Sequence, residues 1–347
     1  ALSLALASCA PMAPPPEPAK VSTRSVSFLG EVKPVLDARC VVCHSCYNAA
    51  CQLKLSSFEG MERGGTKIPV YATRLKDQAP TRLFVDAQTT EQWREKEFYS
   101  VTDRGGERAE DDSIMRYFLD AKRRNPVPEG EYRAEVDLSC AADVRETRRF
   151  LGKHPGRGMP FGFPALEPVE DSTLTSWLEQ GARGPSAAEQ AALTQPSPEA
   201  AEQINKWESF LNRDDAKHAM SARYLYEHFF LAHLRLAEAP ANEFFKLVRS
   251  TTPPGEPISV IATVRPYDDP GTGTFYYRFQ TIHSTIVFKT HIVVQLDDRR
   301  LARYREKVYS HRHINHCLEH QAESYPNREE GSEDSWYLAN DPYHSEE

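Results

Sequence analysis

Cys40-Val41-Val42-Cys43-His44 constrains this chain more than any other feature, because two thiols two residues apart with an imidazole directly behind them place three functional groups on one turn. C-x-x-C-H is the attachment pattern of covalent c-type haem. The thiols add to the two vinyl groups, and the imidazole beside the second thiol reaches the iron. The preceding residues agree with this reading: Phe28, Val32, Val35 and Leu36 recur at helical spacing and predict a helix packed over a macrocycle. Pro34 falls early enough to sit in that helix's first turn or to kink it.

Two other chemistries compete for the same residues. Cys40, Cys43, Cys46 and Cys51 have the spacing C-x2-C-x2-C-x4-C, close to a ferredoxin cluster run. The last interval is one residue too long, Gln52 stands where that run has Pro, and no second cysteine set follows. Zinc also takes Cys and His, but neither alternative explains why His44 follows directly on Cys43. A second iron ligand is expected later in the chain, and Met159 in Gly158-Met159-Pro160 is the candidate, since Met with His is a usual axial pair. A helix should follow, capped by Asp171 or Ser172, with Leu174, Trp177 and Leu178 as its apolar stripe and Gly181 as its stop. A Met-Pro loop with such a helix resembles the closing part of cytochrome c domains. Met159 as a gap-filling core residue, or His154 as the ligand instead, are the alternatives.

Lys and Arg number 42 against 50 Asp and Glu, a net charge of -8 with no concentrated basic face, which argues against nucleic acid as a partner. No run of 18 apolar residues occurs, so no segment of this sequence reads as a membrane span. Residues 1–24 read as a processing segment and Pro-rich tether. Leu6-Ala7-Ser8-Cys9 is similar to a lipobox, which would make Cys9 a lipidated residue and place missing residues upstream. An ordinary cleaved signal is the alternative, and both predict export. Export would permit disulfides among Cys46, Cys51, Cys140 and Cys317; Cys46 with Cys51 is one pairing, and spacing leaves the connectivity open.

Residues 25–185 are expected to form a cytochrome c-like haem domain with an insertion between about Phe58 and Cys140. That insertion would take Trp93, Phe98, Tyr99, Ile114, Tyr117, Phe118 and Leu119 as helical core and Glu107 to Asp112 as a solvated loop. Composition shifts at Gly184-Pro185. Residues 186–310 then read as a helical region with a small sheet. Asp214 to Glu238 runs without Pro or Gly, with Leu225, Phe229, Ala232 and Leu236 on one helical face and Asp214 and Asp215 at its start. His228 and His233, five apart, do not share a face and read as packing residues. Ile258–Val264, Thr274–Gln280 and Ile286–Leu296 read as strands, the first two joined as a hairpin through Asp268-Asp269-Pro270-Gly271. Residues 311–347 are polar and without periodicity, either disordered or a truncated end. The fold class is therefore mainly α: a cytochrome c-like haem domain, then a mixed α+β region with a small sheet.

Several stretches, taken in order, resemble the bacterial fatty acid cis/trans isomerases. They are Arg39 to His44 with Cys46-Tyr47 and Cys51 to Leu55; Thr81 to Ala87 with Trp93; Gly158 to Gly162; Ala222 to His228; Arg265 to Gly271; and Lys289 to Ile292. Past about Arg305 the likeness fades, which reads as an N-terminal portion of a longer protein. The resemblance implies a periplasmic enzyme with one covalent haem c, held by Cys40, Cys43 and His44 with Met159 on the iron, and with His44 acting through that iron. It would act on unsaturated acyl chains of membrane phospholipids or free fatty acids, at a membrane surface to which Cys9 could tether it. The cis bond becomes trans in place without net redox change, stiffening the membrane under stress. An exported electron-transfer cytochrome is the alternative function, and it leaves everything past Pro185 unexplained.

Overall fold

The computed structural model describes residues 21–45, 49–68, 80–104, 112–126 and 140–310, with side chains in the last helix described to Glu306. Cys9, Cys46, Cys317, Glu107 to Asp111 and the tail from His311 lie outside the described residues. Two compact units form. One holds the residues up to Leu193 together with His283–His291; the other holds Thr194–Ile282 and the residues from Ile292.

In the first unit a single π turn, Phe28–Val32, runs directly into α1 (Lys33–Arg39), with Pro34 at the junction of the two. α1 ends at Cys40, whose N–H still reaches the Leu36 carbonyl. Short helices α2 (Phe58–Arg63) and α3 (Thr90–Glu95) follow, the latter closed by a Thr89/Gln92 capping box. α4 (Ile114–Arg124) starts on Ser113, and α5 (Val144–Lys153) on Asp143. α6 (Pro168–Glu179) starts at Glu167, not at Asp171 or Ser172: the Glu167/Glu170 box and Pro168 open the helix four residues earlier, and Asp171 is freed to pair with Arg123. Gly181 stops it at a φ of +85°, as expected of a residue beyond a helix end. α7 (Ala187–Thr194) closes the segment. Val26, Phe28, Val32, Leu36, Leu55, Met115, Leu119, Leu174 and Trp177 form the core, and Cys40 packs against it.

In the second unit α8 (Pro198–Leu211), capped by Ser197, turns Ile204, Trp207, Phe210 and Leu211 inward. α9 spans Ala216–Phe229 from its Asp215 cap and stops nine residues short of the expected end at Glu238. Ala232 and Leu236 are buried, as the periodicity required, but beyond the helix, Ala232 in the turn that closes it and Leu236 in a strand. His233–Leu236 alternates in burial and becomes β1, held between two neighbours, so strand pairing overrides helical propensity there. The sheet runs β3-β2-β1-β4, with β2 (Phe244–Ser250), β3 (Tyr276–Ile282) and β4 (Val293–Leu296). β2 pairs antiparallel with β1 and β3, and β1 pairs parallel with β4.

This corrects the expected hairpin. Ile258–Val264 makes only an isolated bridge, Ser250 to Val260, while β2 takes its place beside β3. β2 is buried at nearly every position, so it lacks the alternation by which a half-exposed strand is recognised. Of Ile286–Leu296 only the last four residues are strand. α10 (Asp298–Ser310) follows. The expectation of a mainly helical chain with one small sheet is met.

Helix and sheet are joined by buried polar bonds as well as by packing. Glu208 accepts from Arg278 Nε at 3.0 Å and from the Phe279 N–H at 2.8 Å, and Asn212 brackets the Tyr277 backbone at 2.8 and 2.9 Å. Phe245, fully buried near the start of β2, packs among these elements. Phe245→Ala should therefore cost about 3–5 kcal/mol in urea unfolding, whereas Val264→Ala, at 61 % exposure, should stay within about 0.5 kcal/mol.

Candidate haem-binding turn

The turn that follows α1 closes on itself: the N–H groups of Cys43 and His44 both donate to the Cys40 carbonyl, at 3.2 and 3.0 Å. Both thiols are free. Cys40 is half-buried against the core and Cys43 is exposed. Burial, with Cys43 adding to it, pushes the Cys40 thiol up to about 12.

His44 is fixed from the opposite side. Its Nδ1 lies 3.1 Å from the Leu53 carbonyl, and its own carbonyl accepts from the Leu55 N–H at 2.8 Å. A carbonyl can only accept, so Nδ1 carries the proton. Burial lowers the imidazole's proton affinity by more than the Leu53 bond raises it, which keeps the ring neutral. The neutral ring then presents a lone pair on Nε2, the tautomer and orientation a metal-bound histidine needs.

The carbonyl that does this comes from a strained turn. Cys51 and Gln52 both adopt left-handed backbone, φ 55° and 51°, immediately before Leu53. Three contacts hold them there. Cys51 is bonded to Cys140 across 89 residues of sequence. Gln52 accepts from the Thr81 hydroxyl at 2.5 Å and donates to the Ile68 carbonyl at 2.9 Å. Arg63, fully buried, donates to the Gln52 and Thr81 carbonyls with its guanidinium 4.8 Å from the Phe98 ring centre and 5.4 Å from that of Trp93. Burial pulls that guanidinium down to about 10.

The disulfide also decides between the chemistries open in the sequence. With Cys51 paired to Cys140, the run of four cysteines cannot serve as a cluster ligand set, and the Cys46–Cys51 pairing is excluded. Among the described residues no group of three or more His, Cys, Asp and Glu could hold a metal ion, and no helix is long and apolar enough to cross a membrane. Two free thiols and an oriented neutral imidazole on one turn fit the demands of covalent haem.

Met159 sits on a loop laid against α4. Its N–H donates to the Phe118 carbonyl at 3.0 Å, and a Cβ on Gly158 would lie 2.1 Å from the Lys122 nitrogen, so only glycine permits that approach. The Met159 side chain is half-buried. α4 links this loop to the motif, since its Met115 and Leu119 belong to the core against which Cys40 packs. His154 caps α5, with its ring 5.2 Å from that of Phe150. In the second unit His228 stacks on Tyr224 at 3.9 Å and bonds its carbonyl, while His233 opens β1, so the two histidines stand in different elements. His291 lies in a tight turn, its N–H on the Val287 carbonyl at 3.0 Å.

Several supporting residues carry no sequence signal. Arg39 Nε reaches both Glu170 oxygens, at 2.9 and 3.0 Å, tying the end of α1 to α6. His283 lies beside α2: its Nε2 is 2.8 Å from Glu59 Oε1, and its ring is 4.8 Å from that of Phe84.

A family model for fatty acid cis/trans isomerase (CTI) matches residues 78–328, a span that includes Met159 and begins after the Cys40–His44 turn. No curated protein and no solved structure matches the chain.

The Glu59–His283 pair sets an acid dependence. Burial pushes the Glu59 carboxyl up, but the hydrogen bond and charge of His283, with Gln190, outweigh it and hold the carboxyl below its ordinary 4.5. A carboxyl depressed in the folded state contributes stability that is fully present above the unfolded value and lost as pH falls through the folded one. Glu59→Gln should therefore flatten the loss of stability below about pH 4.5, read as urea midpoints between pH 6 and 3.

Proposed function

The chain belongs to the fatty acid cis/trans isomerase family, and on that premise we propose that it isomerises unsaturated acyl chains of membrane phospholipids in a haem-dependent reaction. The observation that carries the haem assignment is the Leu53 carbonyl on His44 Nδ1, which leaves Nε2 as the free ligand of a C-x-x-C-H turn. In this reading residues 25–185 are a cytochrome c-like domain. Cys40 and Cys43 would hold one haem c through their thiols, with His44 and Met159 as the residues that would bind its iron. Such a group, when bound, supplies an iron centre able to weaken a π bond transiently while the overall change stays redox-neutral.

The chain's own residues supply the rest. Leu53 keeps the His44 ring from turning, and the half-buried Cys40 packs against the core that contains Leu36 and Leu119. Cys43 stays at the open side. Val42, 50 % exposed on the motif turn, and Phe163, 47 % exposed beyond the Met159 loop, offer apolar surface to a hydrocarbon chain. A trans chain packs straighter than a cis one, so the product would stiffen a membrane without new lipid synthesis. That role suits a periplasmic protein held near its substrate by a lipid on Cys9, one chain of which anchors only weakly and several firmly.

Export of the wild-type chain with c-type maturation machinery should give a covalent haemochrome and trans fatty acid, measured by pyridine haemochrome spectra and gas chromatography. Cys40→Ala should lose the covalent haem and reduce trans product to background; wild type with haem but no product would favour an electron carrier. Met159→Ala should alter the visible spectrum while sparing or raising isomerisation. A folded, haem-loaded Met159→Ala protein without activity would count against Met159 as a ligand that leaves the iron to admit substrate.

A further inference from the structure

The segment His283–His291 leaves the sheet after β3 and joins the first unit, where it meets the residues on both sides of the Cys40–His44 turn. Thr285 makes three bonds there. Its hydroxyl donates to Asp37 Oδ1 at 2.6 Å and accepts from Lys33 Nζ, and Lys33 and Asp37 are themselves paired at 2.7 Å on α1. Its N–H donates to the Ser56 carbonyl at 2.9 Å. Two residues earlier, His283 grips Glu59 on α2, and Gln190 Nε2 donates to the same Glu59 oxygen.

These partners bracket the turn. Asp37 lies one helical turn before Val41, whose N–H, like that of Cys40, ends on the Leu36 carbonyl. Ser56 directly follows Leu55, which donates to the His44 carbonyl, and lies three residues after Leu53, which accepts from the His44 ring. One side chain and its own N–H thus span the gap between the helix that delivers the thiols and the strand of backbone that orients the imidazole. The motif lies outside residues 78–328 and Thr285 within them, so this contact joins the family-matched part of the chain to the turn.

We propose that Thr285 is a positioning residue for His44, setting the separation of α1 from the Leu53–Ser56 backbone and hence the orientation of the imidazole. The geometry stands without haem; its use in isomerisation rests on the reading of His44 as iron ligand. Removing the hydroxyl leaves the Asp37–Lys33 pair without its third member and frees α1 to move relative to Ser56.

The test uses the full chain in both haem-free and matured forms, as wild type, Thr285→Val and Thr285→Ser. In haem-free protein, amide exchange at Leu55 and Val41 should quicken about two- to tenfold in Thr285→Val, the range of one lost hydrogen bond, with the His44 ring nitrogen signals shifted. Exchange at the Trp177 amide should be unchanged, and Thr285→Ser should restore all three. In matured protein Thr285→Val should keep its haem but shift its reduction potential, and Thr285→Ser should return it. If Thr285→Val does not fold, Asp37→Ala removes the acceptor of the same bond and should give the same local quickening. Unchanged Leu55 exchange and His44 signals overturn the proposal, as does equal quickening at Trp177 or an unrescued serine variant. Wild type without covalent haem would sink the haem reading, and the exchange data would still decide the positioning role.

Discussion

The bond from His44 Nδ1 to the Leu53 carbonyl is the interaction on which the proposed site depends. A histidine whose ring could flip, or whose proton sat on Nε2, would be a poor metal ligand whatever its place in the motif. One carbonyl removes both freedoms. That carbonyl is aimed by two consecutive non-glycine residues in left-handed backbone, a conformation costing about 1–3 kcal/mol each, which persists only where the surroundings over-determine it. The Cys51–Cys140 bond, the buried Arg63 and the Thr81–Gln52 pair are those surroundings.

The architecture of the first unit follows from that need. α1 leads into the thiols and α6 holds its end through Glu170, while α4 adds Met115 and Leu119 to the core against which Cys40 packs and receives the Met159 loop along its backbone. Little of this is regular secondary structure. Residues 53–57 and those around Gly158 are irregular backbone, with groups such as the Leu55 and Met159 N–H paired to other backbone carbonyls, as irregular backbone beside a site must be. The second unit is built otherwise, as helices on a four-stranded sheet joined by the Glu208–Arg278 and Asn212–Tyr277 bonds. The family match runs through both units, so membership rests on far more of the chain than the Cys40–His44 turn, which lies before it.

Much of the helical content was legible because it is written in local signals. Pro34 at the start of α1, Asp215 as the cap of α9 and Gly181 after α6 act within a few residues of themselves, and physics of that range survives in sequence. Errors fell where distant partners decide. His233–Leu236 continues a helical apolar pattern yet pairs with residues some sixty positions later, and β2 is buried on both faces, so its period is erased. At α6 the pattern offered Asp171 or Ser172 as the cap, but the helix opens on the Glu167/Glu170 box, and Asp171 pairs with the distant Arg123.

The sequence by itself determined the chemistry available at the site: two thiols and an imidazole at a fixed spacing, a methionine before a proline, and stretches enough to mark a family. These are properties of residue type and order, which folding does not alter. Tertiary structure alone decided which cysteine pairs with which, which nitrogen of His44 is left bare, and that Thr285, some 240 residues away in sequence, stands between α1 and Ser56. Those facts depend on the direction of single hydrogen-bonding groups, and direction is set only when the chain has closed around them.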